Sequence, residues 1–192
     1  ICIAGYVLFY IIIAFSQIYA KSAPSQSEAG YAMGLGFSPQ IFTALLMYSA
    51  VSLAISITIS GKCIDKIGRR IWLIWTTVAV AIFGLALPYF LENGTTVSLF
   101  WFLIIGMGLI GMGYGPLSSF LPELFPTHVR YTGASLTYNI AGLFGASVAA
   151  IIALPLNANY GLKGVGIYLT LNAVLSLIGL WFITETKDKH LA

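Results

Sequence analysis

IWLIWTTVAVAIFGLALPYFL, residues 71–91, runs for 21 residues without an Asp, Glu, Lys, Arg or His. A helix needs about 20 apolar residues to cross the hydrocarbon core of a bilayer. Two polar markers bound this stretch, GKCIDKIGRR at 61–70 and ENGTT at 92–96. A strand is a poor alternative, because an unbroken apolar run lacks the in-out alternation of a membrane barrel. Residues 71–91 are therefore expected to form one transmembrane helix.

Five more stretches of the same kind surround it, at about 1–20, 38–60, 97–120, 133–156 and 164–184, and none contains Asp, Glu, Lys or Arg. Over the whole 192 residues, 59% are hydrophobic and 8% charged, with a mean hydropathy of +0.93. A soluble globular domain is roughly a quarter charged, so a chain this apolar could not cover itself with a polar surface in water. The fold class expected is an all-α membrane protein of six transmembrane helices.

Six crossings place the connectors alternately on two sides. The side holding 61–70 also holds 121–132, the tail 185–192 and the start of the chain. It carries Lys62, Lys66, Arg69, Arg70, Arg130, Lys187 and Lys189, against Lys21 and Lys163 on the other side, which accounts for all nine Lys and Arg. Basic residues collect on the cytoplasmic side of membrane proteins. Both termini of this chain are therefore expected in the cytoplasm, and the basic clusters signal orientation rather than nucleic-acid binding. Ser38-Pro39 is a good cap and first-turn pair for the second span. Trp72, Trp75, Trp101 and Trp181 fall near span ends, where an interfacial aromatic belt is expected. Asn93-Gly94-Thr95 matches a glycosylation sequon but reads more simply as a turn. Cys2 and Cys63 fall in no CxxC or Cys/His cluster, so neither a metal site nor a disulfide framework is expected. The chain opens at Ile1 inside an apolar run, without the basic leader of a signal peptide, and the whole protein is expected to start upstream.

Two connectors carry a family signature. Gly61-Lys62-Cys63-Ile64-Asp65-Lys66-Ile67-Gly68-Arg69-Arg70 resembles the G-x-x-x-D-x-x-G-R-[RK] loop of the major facilitator superfamily. The glycines suit a tight turn and a close helix approach. Asp65 suits a helix cap or a guanidinium partner. Leu121-Pro122-Glu123-Leu124-Phe125-Pro126-Thr127-His128-Val129-Arg130-Tyr131-Thr132-Gly133 resembles the P-E-L-F-P-T-x-x-R-x-T-G segment of the metabolite:proton symporters of that superfamily and, more loosely, of its sugar porters. His128 stands where many members have Arg, and reads as a solvated loop residue. Glu185-Thr186-Lys187 resembles the E-T-K/R ending that follows their last helix.

The resemblance covers essentially the whole chain. It implies the carboxy-terminal six-helix bundle of a twelve-helix transporter, with an amino-terminal half elsewhere, each half made of two inverted three-helix repeats. It implies a bacterial plasma-membrane permease, coupled to protons, that moves a small polar metabolite such as an organic acid or an osmolyte by alternating access. A sugar-porter-type permease is the nearest alternative. It further implies a gating role for Gly61, Asp65, Gly68, Arg69, Arg70, Glu123 and Arg130, with Glu123 and Arg130 able to pair as the cavity closes. Neither catalysis nor a cofactor is implied.

Substrate sites in transporters lie near the bilayer midplane, so polar residues at helical spacing within spans are the candidates. Tyr6, Tyr10 and Gln17 share a face of the first span. Gly111, Tyr114 and Gly115 precede Pro116, an expected weak point in the fourth. Tyr138 and Asn139 lie in the fifth, with Ser135, Gly142 and Ala146 on the Asn139 face. Asn172 is the strongest polar residue of the sixth. Cavity lining and helix packing both remain open for Tyr6, Tyr10, Gln17 and Asn139, and the family resemblance favours Tyr6, Tyr10, Gln17 and Tyr114. Ser49, Ser52, Ser56 and Ser60 form a small-residue stripe that reads as a packing face, as do Gly142, Gly145 and Ala149.

A proton relay needs an ionisable group within the membrane, and no span carries one. The coupling group is therefore expected in the other half, and these residues alone are expected to bind little and pump nothing. An aquaporin-type channel would need paired Asn-Pro-Ala half-helices, and an intramembrane enzyme a buried catalytic cluster; the sequence holds neither. A homodimer of half-chains is a further possibility, which gel filtration would test.

Overall fold

The computed structural model describes residues 2–182, with Asp65 described by its backbone alone. The tail 185–192 and its Glu185-Thr186-Lys187 lie outside the described residues, as does the side chain of Asp65. The described chain is helical apart from the 22–38 connector, which holds one isolated antiparallel bridge, Gln26 to Ala32, and short turns elsewhere. α1 (Ile3–Tyr10) passes through a π turn at Ile11–Phe15 into α2 (Ser16–Lys21). α3 spans Pro39–Ile67, α4 Arg69–Glu92 and α5 Thr96–Glu123. A 3-10 turn at Thr127–Val129 leads into α6 (Arg130–Gly142), a second π turn at Leu143–Ser147, and α7 (Val148–Trp181).

Helix starts follow local chemistry. Ser38 accepts from the Ile41 amide at 3.4 Å with Pro39 in the first turn of α3. Thr95 accepts from the Ser98 amide at 3.2 Å at the start of α5, after a turn made by Gly94 at φ 60°. The sequon is thus a turn and a cap.

Five helical stretches are long and apolar enough to cross a membrane, the last running 55 residues from Thr127 to Trp181. The fifth and sixth runs expected from the sequence share this stretch, where a connector was expected at 157–163. A straight helix of that length would reach about 80 Å, far beyond a hydrocarbon core of about 30 Å. The backbone breaks within α7 at one residue, Gly161, at φ 67° and ψ −169°. Glycine alone adopts such a conformation without strain, so the chain turns at one residue, with Asn157, Asn159 and Lys163 flanking it.

The basic connector also differs from expectation. Residues 61–67 continue α3, and the turn into α4 consists of Gly68 alone, at φ 102° and ψ 146°. Gly61 neither turns the chain nor admits a close neighbour, since a Cβ there would meet open space. α5 likewise runs unbroken through Pro116 and Pro122. A proline deprives the carbonyl four residues earlier of its amide partner. For Pro116 that carbonyl is Met112, and the Trp72 indole donates to it at 2.9 Å.

Small residues set the helix contacts. A Cβ on Gly115 would collide with Ser60 Oγ, and one on Gly111 would lie 2.6 Å from the Leu53 carbonyl. Ser52 donates to the Ile104 carbonyl at 3.0 Å. The serine stripe of α3 is thus packed against the glycines of α5, where small residues let backbones approach. Gly84 of α4 meets Gly166 of α7 in the same way, with Thr170 Oγ1 donating across to the Ala81 carbonyl at 3.1 Å. Gly145 lies against Tyr6 and Ile3, and Ala149 is fully buried. The first helix runs through the centre, with Val7, Leu8, Ile11, Ile12 and Phe15 all buried.

Candidate functional site

A cavity of about 50 Å³ opens between α1, α4, α5 and α6, lined in part by Tyr6, Thr76, Thr77, Tyr114 and Tyr138. The sequence suggested three of these, Tyr6, Tyr114 and Tyr138, and the fold brings them together from three helices. Gly113 keeps the wall open on α5, and Gly145 lets α1 approach closely enough to set Tyr6 there. Thr76 and Thr77 donate to their own helix at the Trp72 and Leu73 carbonyls, at 3.0 and 2.7 Å. Tyr138 Oη donates to the Leu117 carbonyl at 3.2 Å. The Tyr6 and Tyr114 hydroxyls have no hydrogen-bond partner among the described residues. The wall holds no Asp, Glu, Lys, Arg or His.

The other suggested residues stand apart from this cavity. Tyr10 is half-buried and donates to the Ala150 carbonyl at 3.4 Å. Gln17 is half-buried further along the first helix. Asn139 is exposed, its amide turned back to the Ser135 carbonyl at 2.8 Å, in a separate open groove with Tyr131, Thr132 and Leu136. Tyr138 and Asn139 are adjacent in sequence, so a helix separates them by about 100°; Tyr138 lines the cavity and Asn139 the separate groove. Asn172 bonds its own helix at the Tyr168 carbonyl.

The charged residues gather at the end of the bundle marked by Gly68. Arg69 forms a salt bridge with Glu123, tying the start of α4 to the end of α5. Glu123 thus has Arg69 as an ion-pair partner here, while its pairing with Arg130 is expected as the cavity closes. The single-residue turn at Gly68 explains this, because it holds Arg69 beside the end of α5. Arg130 opens α6, and its Nε is buried without a partner among the described residues. Arg70 donates from Nε to the Leu180 carbonyl at 3.1 Å and from Nη2 to the Trp181 carbonyl at 3.0 Å. It caps the last helix, where orphan carbonyls and the negative dipole end favour a cation. Gly133 lies under the Phe125 ring, so any side chain there would displace the ring that closes the turn from α5 to α6. His128 is exposed.

Sequence reasoning missed Asn157, which is fully buried in α7. Its amide donates to the Ala32 carbonyl at 3.1 Å and approaches Met33 Sδ at 3.5 Å, while Oδ1 has no partner. It anchors the 22–38 connector beside Gly161, whose Cα faces the Tyr31 ring. The only local signal was a polar residue just past the expected end of the fifth span. Among the described residues no three His, Cys, Asp or Glu side chains converge as metal ligands would.

Residues 31–192 match the family described as "Sugar (and other) transporter". Over all 192 residues the chain is 88% identical to a "Putative metabolite transport protein" of Haemophilus influenzae strain Rd, of which it covers 43%. It is 39% identical over 192 residues to the inner membrane metabolite transport protein YhjE of Escherichia coli K12, covering 42% of that protein. It is 30% identical over 174 residues, 84% of this chain, to the glycine betaine/proline/ectoine/pipecolic acid transporter OusA of Dickeya dadantii, covering 34% of it. The chain thus spans less than half the length of these curated relatives. No solved structure matches it.

Proposed function

Because this chain belongs to the sugar (and other) transporter family of the major facilitator superfamily, we propose that it forms the carboxy-terminal half of a permease for a small polar metabolite. The break at Gly161 divides the last helical stretch into two crossings, which makes six. Both termini then face the cytoplasm of a bacterium, and the Gly68 end lies at the inner membrane surface. An amino-terminal six-helix half completes the solute path, and alternating access carries the solute across. The solute is an organic acid or an osmolyte-like compound, in keeping with the metabolite and betaine transporters among the relatives.

The observation that carries this reading is the uncharged cavity where Tyr6, Tyr114 and Tyr138 meet. Tyr10, Gln17 and Asn139 line the path beyond it. Gly61, Asp65, Gly68, Arg69, Arg70, Glu123 and Arg130 form the inner gate, with the Arg69–Glu123 bridge as its closed contact. Arg130, its Nε unpartnered here, takes over Glu123 in another state of the cycle. Transport is coupled to protons, and the titrating group lies in the other half, since the described spans hold no ionisable carboxylate, His, Lys or Arg at their centres. The family description also favours a second reading, a sugar porter.

The test is uptake by the intact protein in proteoliposomes, with labelled organic acids, betaines and glucose, with and without an imposed proton gradient. Accumulation of one of the first two that collapses with the gradient is expected. Uptake indifferent to the gradient would remove the proton coupling, and uptake of none would remove the permease.

A further inference from the structure

We infer that the groove between α4 and the last part of α7 seats the headgroup of a zwitterionic phospholipid of the phosphatidylethanolamine kind, with Glu92 taking its ammonium and Lys163 its phosphate. This goes beyond the permease reading, since it concerns lipid and not the solute. It rests on the placement of α4 and α7 in a bilayer.

The groove encloses about 420 Å³, within the roughly 300–1,000 Å³ of sites for small molecules. One stripe of α4, from Gly84 through Pro88 to Glu92, forms one wall, and Lys163 and Ile167 of α7 form the other. Residues four apart share a helix face, so each wall is continuous. The floor is where the helices touch, since a Cβ on Gly84 would lie 2.9 Å from the Gly166 carbonyl. Leu85, Tyr89 and Ile167 make apolar rims, each more than half exposed. Eight residues of α4 separate Gly84 from Glu92, about 12 Å along the axis. The groove thus has an apolar inner part and a charged end, on the side of the bundle opposite Gly68.

The two charges select the occupant. Glu92 and Lys163 are both exposed, and neither forms an ion pair with a described residue. An acid and a base left separate along one lipid-facing groove suit a molecule that carries both opposite charges on an apolar tail. The Lys163 stem can snorkel toward the interface and meet a phosphate. A carboxylate binds an ammonium best through N–H donors, which ethanolamine has and choline lacks. A phosphatidylglycerol would offer Lys163 its phosphate and leave Glu92 facing a like charge. A second copy of the chain fits less well, because a two-fold axis would lay this concave face against itself and leave a void.

The test uses the intact protein in phosphatidylcholine nanodiscs, with a phosphatidylethanolamine probe bearing a diazirine at the start of one acyl chain. Irradiation and peptide mapping should place the label on residues 84–89 and 163–167. Unlabelled phosphatidylethanolamine should displace it about five-fold more effectively than phosphatidylglycerol, the effect of about one interfacial charge. Glu92→Gln and Lys163→Gln should each lower labelling of the groove about five-fold and leave labelling elsewhere on the protein unchanged. The displacement order is read on the unaltered protein, so a poorly folding variant does not remove the test. Equal displacement by phosphatidylglycerol would overturn the inference, as would label spread evenly over the lipid-facing helices. A disulfide-linked dimer through Leu85→Cys that excludes the probe would give the groove to a second copy and overturn it too. Selective labelling supports the inference whether or not a solute is taken up, so the lipid site and the permease are decided separately.

Discussion

Replacing Trp72 by Phe should destabilise the bundle chiefly through one carbonyl, and a second substitution should reveal it. Pro116 has no N–H, so the Met112 carbonyl lacks its ordinary helical partner and takes the Trp72 indole N–H at 2.9 Å instead. Trp72→Phe removes that donor and some ring area, and leaves the carbonyl facing a mostly apolar groove lined by Ile71, Trp75 and Ala79. Hydrogen bonds between membrane helices average about 0.6 kcal/mol and reach about 1.7. A carbonyl with no alternative partner should lie toward the upper end, about 1–1.5 kcal/mol. Pro116→Ala restores an amide four residues on, so the carbonyl can bond within α5 and the indole becomes dispensable. In that background Trp72→Phe should lose only its packing share, and the double-mutant cycle should give a coupling of about 1 kcal/mol. Reversible unfolding in mixed micelles, followed by far-ultraviolet dichroism for all four proteins, measures it. Additive losses within about 0.3 kcal/mol would refute the claim that the indole substitutes for the missing amide.

Gly166→Ala should cost about 1–3 kcal/mol by overpacking, because its Cβ would strike the Gly84 carbonyl; Gly142→Ala, whose Cβ would sit 3.6 Å from the Tyr6 ring, should be nearly neutral, and the same unfolding assay compares them. Asn157→Ala should lose about 1–2 kcal/mol with its contact to Ala32 and speed maleimide labelling of a cysteine placed at Met33, whereas Asn172→Ala, bonded only to its own helix, should change neither. Cys63, partly exposed, should react with a bulky maleimide well before buried Cys2; equal rates in the folded protein would contradict the packing of α1.

The membrane class was legible because it depends on composition and run length alone. Lipid offers no hydrogen bonds, so long uncharged segments must satisfy their backbones as helices, and any such sequence announces itself. The caps at Ser38 and Thr95 were equally local. The packing stripes of α3 and α5 were readable too, since Ser and Gly at helical spacing leave room for another backbone.

What only the tertiary structure decided were matters of partner and direction. Gly68 and Gly161 each turn the chain in a single residue, and nothing in a one-dimensional pattern separates them from Gly61, which stays helical. The pairing of Arg69 with Glu123 depends on which helix ends meet in space. Tyr138 rather than Asn139 reached the cavity because the rotation of α6 is set by its packing against α1 and α5, and polar residues on more than one face of that helix left the rotation undecided beforehand. Chain chemistry determines which segments lie in lipid; shape complementarity between helices determines which of their few polar atoms end up facing one another.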